Sequence, residues 1–213
     1  MQILVVSATK LEIAPFLLQN ELEAQYDFLI TGVGVPACLY QLQKKLLQKK
    51  YDFVIQAGIA GSFTTEIPLG ETVVVQKDIF ADMGAIEKNQ FTTLFEMGLI
   101  SKNEFPYHEG WLENNAEFFI KTTLKSVNAI TVNTVSDKLE TTGLYTKLFN
   151  AQIESMEGAA LHYVCLQENV KFLQLRSISN EVGERNKAHW KMKEAILHLN
   201  NTLSDIIKQI TAG

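Results

Sequence analysis

Arginine is nearly absent from this 213-residue chain, which contains only Arg176 and Arg185. Lysine and arginine together number 19, aspartate and glutamate together number 24, and the formal net charge is −5. No segment gathers its positive charge into a basic stripe. We therefore expect no nucleic-acid partner, because affinity for a phosphate backbone depends on clustered lysine and arginine.

Cysteine is equally scarce, and long hydrophobic runs are absent. Cys38 and Cys165 both fall in apolar helical patterns, which favours reduced core residues over a disulfide. No apolar run approaches the ~20 residues of a membrane-spanning helix. The apolar run at residues 3–6 has no positive region before it and has Lys10 and Glu12 close behind, which is typical of a strand and not of a signal peptide. We expect a soluble, cytoplasmic protein with no membrane partner.

Short apolar runs alternate with helical patterns along the chain. The predicted strands cover residues 3–6, 26–31, 53–57, 72–76, 129–132, 151–154 and 170–178. The predicted helices cover residues 11–19, a segment that begins at Pro36, and residues 142–149, 157–167 and 187–210. Residues 80–117 have weak periodicity and are predicted as loops with short elements. The alternation predicts a mixed, mostly parallel twisted sheet flanked by helices, in a single α/β domain over residues 1–213.

The segment 153–160, IESMEGAA, places Glu154 and Glu157 between an apolar run and a helix. In open α/β sheets, ligands bind where strands end and helices begin. A carboxylate at a helix N-terminus gains a few tenths to ~1 kcal/mol from the helix dipole, and it can accept hydrogen bonds from sugar hydroxyls. Simple capping of the helix explains the two glutamates equally well, so both interpretations stay open.

Glu12 also has a structural and a catalytic interpretation. Residues 9–12, TKLE, fit a capping box, in which the threonine caps a helix and the glutamate reaches back to the backbone. That role alone would account for the residue. Because Glu12 follows the carboxyl end of the first predicted strand, it can instead face a ligand crevice and orient or deprotonate a water molecule.

The glycine-rich segments match no nucleotide-binding fingerprint. Residues 32–34 (GVG) lack the third glycine of the dinucleotide motif, and residues 58–62 (GIAGS) lack the Gly-Lys-Ser/Thr ending of a Walker motif. Both are typical of tight turns, and both can bring backbone N–H groups close to a small ligand. His162 and Cys165 share a helix face, but apolar neighbours favour core packing over metal binding, and we expect no metal site.

Polar residues close the last predicted strand and its following loop. Asn180 is either a turn residue or an amide that reads the edge of a heterocycle. Trp190 is either a core anchor or a stacking platform for a base.

The strand leading to Glu12, the segments 56–61 (QAGIAG) and 154–158 (ESMEG), and the run 176–180 (RSISN) together resemble the nucleoside phosphorylase/nucleosidase superfamily. Within it, the chain resembles the futalosine hydrolase branch of menaquinone biosynthesis, which is similar to methylthioadenosine/adenosylhomocysteine nucleosidase. The resemblance covers nearly the full chain. It implies a nucleoside phosphorylase-like fold, a small purine nucleoside substrate, and a homodimer or higher homo-oligomer.

The resemblance also implies roles for the matching residues. Glu12 would handle the attacking water, and Glu157 would bind the ribose hydroxyls while Met156 packs under the sugar. Glu154 is left without a role, because this chain has Glu-Ser-Met-Glu where the adenine nucleosidases have Glu-Met-Glu. The residues expected to bind the substrate are Gly58, Ile59, Met156, Glu157, Trp190 and Arg185.

At position 180 the adenine-specific relatives carry an aspartic acid that protonates purine N7, whereas this chain carries Asn180. Asparagine cannot deliver a proton, but it can donate its NH₂ to N7 or O6 and stabilise a departing hypoxanthine anion. Asn180 is therefore expected to act in catalysis and favours an inosine-like substrate such as futalosine. The benzoate group of futalosine needs a cationic or donor-rich receptor, for which Arg185 and Lys187 are the candidates.

The scarcity of arginine bears on the nucleophile. A phosphorylase must hold a phosphate dianion beside the anomeric carbon, usually with arginine, and neither glycine segment carries one. We therefore predict hydrolysis of futalosine to hypoxanthine and dehypoxanthine futalosine, with no metal or organic cofactor. The alternatives are a methylthioadenosine/adenosylhomocysteine or aminodeoxyfutalosine nucleosidase, a purine nucleoside phosphorylase, and a non-catalytic α/β module.

Overall fold

The computed structural model describes residues 1–19, 26–88, 90–115, 122–135, 137 and 139–212. Within them the strands are β1 (Ile3–Ser7), β2 (Tyr26–Ile30), β3 (Phe53–Ser62), β4 (Thr72–Phe80), β5 (Gly84–Glu87), β6 (Gln90–Thr93), β7 (Leu112–Glu113), β8 (Ser126–Thr131), β9 (Ile153–Ser155) and β10 (Lys171–Glu181). The helices are α1 (Lys10–Gln19), α2 (Val35–Gln48), α3 (Leu139–Phe149), α4 (Gly158–Gln167) and α5 (Met192–Ala212), with a 3₁₀ turn at Lys187–His189.

Strand β3 is the axis of the main sheet. One of its edges pairs in parallel with β10 from Phe53 to Ser62. Its other edge is shared, because β1 pairs with it in parallel up to Gln56 and β9 pairs with it antiparallel at Gly61 and Ser62. Among the described residues, no strand therefore pairs with residues 57–60 on that second edge.

Strands β3, β10, β4, β8 and β9 form a closed ring. Strand β10 pairs with β4, β4 with β8 and β8 with β9, which returns to β3, while β2 extends the sheet beyond β1. Strand β7 adds to β4, and β5 and β6 form a separate antiparallel hairpin. Parallel and antiparallel pairs both occur, and helices flank the sheet, which confirms the predicted α/β class.

Both faces of the sheet are covered, which explains why its strands are continuously apolar. On one face, α1 and α5 pack against β1, β3 and β10 through side chains that include Phe16 and Leu203. On the other face, α2 and α4 pack through Leu42 and Leu161. Small and β-branched side chains of β3, β4, β8, β9 and β10 form a third cluster. The two helical layers thus cover both faces of β3 and β10.

Some element boundaries differ from the sequence expectation. The GIAGS segment, predicted to follow a strand that ends at Ala57, is the second half of β3, because β10 pairs with this half as far as Ser62. Its glycines face the side chains of neighbouring strands and do not form a tight turn. The short elements in residues 80–117 are β5, β6 and β7, and the last helix begins at Met192 instead of residue 187.

Three expectations about single residues can be checked in the core. Cys38 and Cys165 are free and buried, as predicted. His162 is also buried, its ring Nδ1 lies 2.9 Å from the Leu112 carbonyl, and burial lowers its pKa to about 4, which confirms a core histidine. Within the described ranges, no group of three or more histidine, cysteine or acidic side chains is arranged to hold a metal ion. None of the helices described has the length and apolar character that a membrane crossing requires.

Candidate active site

A cavity of about 310 Å³ opens beside the part of β3 that lacks a second strand partner. It is lined by the ends of β1, β3, β9 and β10, the start of α1 and the loop after β10. Gly58 does not line the cavity but lies next to Glu12, since a Cβ atom on the glycine would be 3.1 Å from the Glu12 Oε1. The other predicted site residues all line it, namely Glu12, Ile59, Met156, Glu157, Asn180, Arg185 and Trp190.

Glu12 both caps helix α1 and faces the cavity, as the two interpretations of the sequence required. Its Oε2 accepts hydrogen bonds from the Thr9 backbone N–H at 2.9 Å and the Thr9 hydroxyl at 2.8 Å, so the capping box is present. Its Oε1 accepts a hydrogen bond from the Ile59 N–H at 3.1 Å, on the edge of β3 that lacks a strand partner. The side chain is 7% exposed and lines the cavity. The cap thus fixes a carboxylate at the cavity wall, and the two interpretations are compatible.

Glu157 stands at the N-terminal end of α4, but its side chain does not cap that helix. Its Oε1 accepts a hydrogen bond from the Gly34 N–H at 2.9 Å, and its Oε2 lies 3.8 Å from the Arg176 Nη1. Burial raises the pKa of Glu157, while Arg176 and the Gly34 N–H act against that rise. The capping interpretation is therefore wrong for Glu157. Gly34, whose φ of 92° suits glycine, serves to hold this carboxylate.

Arg176 is a site residue that sequence reasoning missed. It lies on β10, is 1% exposed and does not line the cavity. Its Nη2 donates a hydrogen bond to the Gln56 Oε1 at 2.7 Å, and its Nη1 occupies the space where Gly58 would carry a Cβ atom. Gly58 therefore makes room for the guanidinium. The sequence did carry a signal for Arg176, because a lone arginine in an apolar strand is a buried charge and a buried charge needs polar partners nearby.

Asn180 follows an irregularity in the pairing of β10 with β3 and lies opposite Gly61. Its Nδ2 donates a hydrogen bond to the Glu181 carbonyl at 2.8 Å, and its Oδ1 accepts one from the Ser179 hydroxyl at 2.8 Å. These bonds use one N–H and one lone pair, so the amide keeps one donor and one acceptor site for a ligand. The protein therefore orients the amide and leaves part of its hydrogen-bonding capacity for a ligand.

Glu154 on β9 also lines the cavity, and its surroundings differ from those of Glu12 and Glu157. It is 8% exposed, and in the described part of the chain no group donates a hydrogen bond to its carboxylate. Burial raises the pKa of Glu154 to about 7, while Arg185 lowers it and Asp82 raises it further. Glu154 lies in a strand and does not cap α4.

The loop after β10 forms the outer wall of the cavity. Arg185 is exposed, and its Cζ lies 5.8 Å from the centre of the Trp190 ring. The indole N–H of Trp190 donates a hydrogen bond to the Glu184 carbonyl at 3.0 Å, which fixes the half-buried ring on this loop and outside the core clusters. Lys187 does not line the cavity, so Arg185 is the better placed of the two candidate partners for a substrate carboxylate.

A sealed polar cluster lies behind Glu157. Asp78 on β4 is fully buried and accepts hydrogen bonds from the Thr131 hydroxyl at 2.9 Å and the Gln174 amide at 3.1 Å. The Thr131 oxygen accepts a hydrogen bond from the Ala159 N–H, in the first turn of α4, at 2.7 Å. Burial raises the pKa of Asp78 to about 6. The cluster ties three strands to the helix end that carries Glu157.

Comparison with known families and proteins gives consistent matches. The family model of the phosphorylase superfamily matches residues 29–212. The chain is 28% identical to a futalosine hydrolase from Thermus thermophilus, over 86% of this chain and 82% of that protein. It is 27% identical to a futalosine hydrolase from Streptomyces coelicolor, over 90% of this chain and 83% of that protein.

Solved structures share the fold over almost the whole chain. The structure of 5′-methylthioadenosine/S-adenosylhomocysteine nucleosidase from Helicobacter pylori with butyl-thio-DADMe-Immucillin-A gives a TM-score of 0.82 at 15% identity, covering 98% of both chains. The native structure of futalosine hydrolase from Helicobacter pylori gives a TM-score of 0.80 at 16% identity, again over 98% of both chains. At such low identity the likeness concerns the fold alone.

Proposed function

The chain belongs to the phosphorylase superfamily, the family that its motifs resemble, and we propose that it hydrolyses the N-glycosidic bond of futalosine. The products are hypoxanthine and dehypoxanthine futalosine, which places the reaction in menaquinone biosynthesis. Three futalosine hydrolases at 27–28% identity support this substrate. The observation that carries the proposal is the convergence of Glu12, Glu157 and Asn180 on one cavity from separate strand ends.

Glu12 binds and activates the attacking water. Its carboxylate is held by Thr9 and Ile59, so its position does not depend on the substrate. The water oxygen forms a bond to C1′ of the ribose, and its proton passes to Glu12. The bond between C1′ and N9 breaks through an oxocarbenium-like transition state, and its electron pair leaves with the base.

Glu157 fixes the ribose by accepting hydrogen bonds from its hydroxyl groups. An ionised carboxylate is the stronger acceptor, and Arg176 acts against the rise in the pKa of Glu157 that burial causes. Arg176 is therefore a positioning residue that favours the ionised form of the ribose-binding carboxylate. Met156 lines the cavity next to Glu157, where its side chain can pack under the sugar.

Asn180 stabilises the leaving base. The N–H that it does not spend on Glu181 donates to N7 or O6 of the hypoxanthine anion. Because this donor is already oriented by the protein, it need not reorganise as negative charge develops on the base.

The charges of the cavity favour water over phosphate as the nucleophile. Among the described residues that line it, four are glutamates, Glu12, Glu154, Glu157 and Glu184, and one is an arginine, Arg185. A phosphate dianion beside these carboxylates would be repelled. Arg176, which lies near the reaction centre, is bound to Gln56 and Glu157 and does not line the cavity. The scarcity of arginine therefore supports a hydrolase even though one arginine lies close to the site.

Arg185, exposed at the cavity wall, binds the benzoate of futalosine.

From the resemblance to the superfamily we also infer a cytoplasmic homodimer or higher homo-oligomer, which light scattering after size-exclusion chromatography would measure. A monomer at working concentration would contradict that inference.

Base release, followed by chromatography, tests the proposal. Futalosine, aminodeoxyfutalosine, inosine and methylthioadenosine are each offered with and without phosphate. We expect hypoxanthine from futalosine at a rate that phosphate does not change. Release that requires phosphate would make the enzyme a phosphorylase, and adenine from methylthioadenosine alone would make it a nucleosidase of the other branch. No release from any of the four would contradict a catalytic role.

A further inference from the structure

Glu154, Gly61 and Asn180 form one row across three neighbouring strands. Gly61 on β3 lies opposite Glu154 on β9 and opposite Asn180 on β10. Residues that lie opposite one another in paired strands project to the same face of the sheet. Glu154 and Asn180 therefore stand on the same face, two strand spacings or roughly 10 Å apart between their Cα atoms.

Residue 61, in the middle of this row, is a glycine, and the Val182 side chain lies over it. A Cβ atom on Gly61 would lie 2.9 Å from the Val182 Cγ2 and 3.3 Å from the Asn180 Nδ2. Without that atom, Val182 can lie over Gly61, with the amide of Asn180 on one side and the carboxylate of Glu154 on the other, and all three side chains line the cavity. This arrangement suits a planar heterocycle that forms hydrogen bonds at both edges.

Glu154 has the properties of a group reserved for a ligand. It is more than nine-tenths buried and lines the cavity, and no donor among the described residues contacts its carboxylate. A partly desolvated carboxylate that receives no hydrogen bond from the protein gains from a donor on a ligand. By contrast, Glu12 and Glu157 are both anchored by backbone N–H groups.

The charged and titratable groups around Glu154 leave it an acceptor near neutral pH. Arg185, from the loop after β10, favours its ionised form, whereas burial and Asp82, which follows β4, disfavour it. Tyr145 of α3 also faces it, because the charge of Glu154 contributes to the raised pKa of that phenol. With a pKa of about 7, the carboxylate is about half ionised at neutral pH and mostly ionised above it.

An ionised carboxylate distinguishes two classes of purine that the amide of Asn180 does not. A 6-oxopurine carries a hydrogen on N1, whereas N1 of a 6-aminopurine carries a lone pair. An asparagine amide offers both a donor and an acceptor, so it can adapt to either base. A carboxylate only accepts, so it attracts the first base and repels the second.

We propose that Glu154 determines base specificity by accepting a hydrogen bond from N1–H of a 6-oxopurine held between Glu154 and Asn180. This inference rests on the proposed function for the orientation of the base, with its N7 and O6 edge at Asn180. It assigns the choice between 6-oxo and 6-amino bases to Glu154, and the stabilisation of the leaving base to Asn180.

The first test compares futalosine with aminodeoxyfutalosine, which differ in the 6-oxo and 6-amino base. We expect Glu154→Gln to lower the ratio of their kcat/KM values by about tenfold or more, because a glutamine amide can serve either base. Glu168→Gln, which removes an exposed carboxylate outside the cavity, should leave the ratio unchanged. An unchanged ratio in a folded Glu154→Gln variant would overturn the inference.

The second test uses free bases and needs no turnover. Calorimetry should show that the wild type binds hypoxanthine about tenfold or more tightly than 1-methylhypoxanthine, whose methyl group replaces the N1 hydrogen. Equal binding of the two bases would contradict the role of Glu154, whether or not the Glu154→Gln variant folds. If the wild type releases no base from futalosine, the hydrolase proposal fails, whereas this comparison still tests for a hydrogen bond at N1–H.

Discussion

Two turns of the molecule carry the same local motif in different surroundings. Residues 9–12 (TKLE) and 93–96 (TLFE) both have the hydrogen bonds of a capping box, in which the glutamate Oε2 accepts from the threonine N–H and hydroxyl at 2.8–2.9 Å, although only the first segment begins a helix. Glu96 is exposed and lies outside the cavity. Glu12 is buried, accepts a hydrogen bond from the Ile59 N–H and lines the cavity. The local sequence therefore fixes the shape of the turn, and its tertiary surroundings decide whether the carboxylate can act on a substrate.

The two capping boxes give the comparison with the largest expected effect. Glu12→Gln should lower kcat for futalosine by ~10²-fold or more, because a glutamine cannot accept the proton of the attacking water. Glu96→Gln weakens an equivalent cap and should leave kcat unchanged. Steady-state kinetics of both purified variants measures the difference. Near-normal turnover in a folded Glu12→Gln variant would reduce Glu12 to a cap.

Asparagine also occurs in two surroundings, at position 180 in the cavity and at position 186 in the cap of the 3₁₀ turn. Asn180→Asp supplies a group that can protonate N7, so the kcat/KM ratio of adenine to hypoxanthine nucleosides should rise about tenfold or more. Asn186→Asp keeps a capping acceptor and should leave the ratio as it is. If both variants keep the wild-type ratio, Asn180 does not touch the base.

Glycine offers the same comparison for stability. Gly158 begins α4 against Asp78 and Gln174, and a Cβ atom there would collide with both side chains. Gly158→Ala should therefore lower the free energy of unfolding by about 1–3 kcal/mol. Gly143 lies within α3 with nothing near its Cβ position, so Gly143→Ala should raise it by about 0.5–1 kcal/mol. Urea unfolding measures both values, and equal effects would show that the polar cluster is loosely packed.

Two aspartates should respond to pH in opposite directions, with the smallest effects. Burial raises the pKa of Asp78 to about 6 from its ordinary 3.8, so its contribution to stability grows as the pH falls through this window. A hydrogen bond from Tyr51 lowers the pKa of Asp27, with Lys49 acting in the same direction, so its contribution is complete at neutral pH and is lost only in acid below its ordinary pKa.

Urea unfolding of Asp78→Asn and Asp27→Asn separates these two cases. The deficit of Asp78→Asn relative to wild type should be larger at a pH of about 4.5 than at about 7, where the ionised wild-type residue is itself penalised. The deficit of Asp27→Asn should be equal at these two values and shrink in stronger acid. Parallel profiles for the two variants would contradict the assigned surroundings.

The same contrast explains what the sequence could predict. The α/β class follows from periodicity, and the family from short motifs, because both depend on residues close together in the chain. The second half of β3 was missed because its glycines are typical of turns, whereas β10 pairs with them from far along the sequence. Arg176 was missed because its meaning depends on Gln56, Gly58 and Glu157, three residues that the fold alone brings to it.

Glu154 shows the same limit within the site. The sequence placed Glu154 beside Glu157 between a strand and a helix, and the resemblance left Glu154 without a role. The fold gives Glu157 a backbone donor, whereas no described residue donates a hydrogen bond to Glu154, which lies across Gly61 from Asn180. Strand register, which no local pattern encodes, decides the difference.

The most direct measurement is a crystal structure of the Glu12→Gln variant with futalosine bound. We predict that the ribose hydroxyls contact Glu157, that the base lies between Glu154 and Asn180, and that residue 12 faces C1′ across a single water molecule. A nucleoside bound outside the cavity, or one whose C1′ lies away from residue 12, would contradict the assignment of these carboxylates to catalysis.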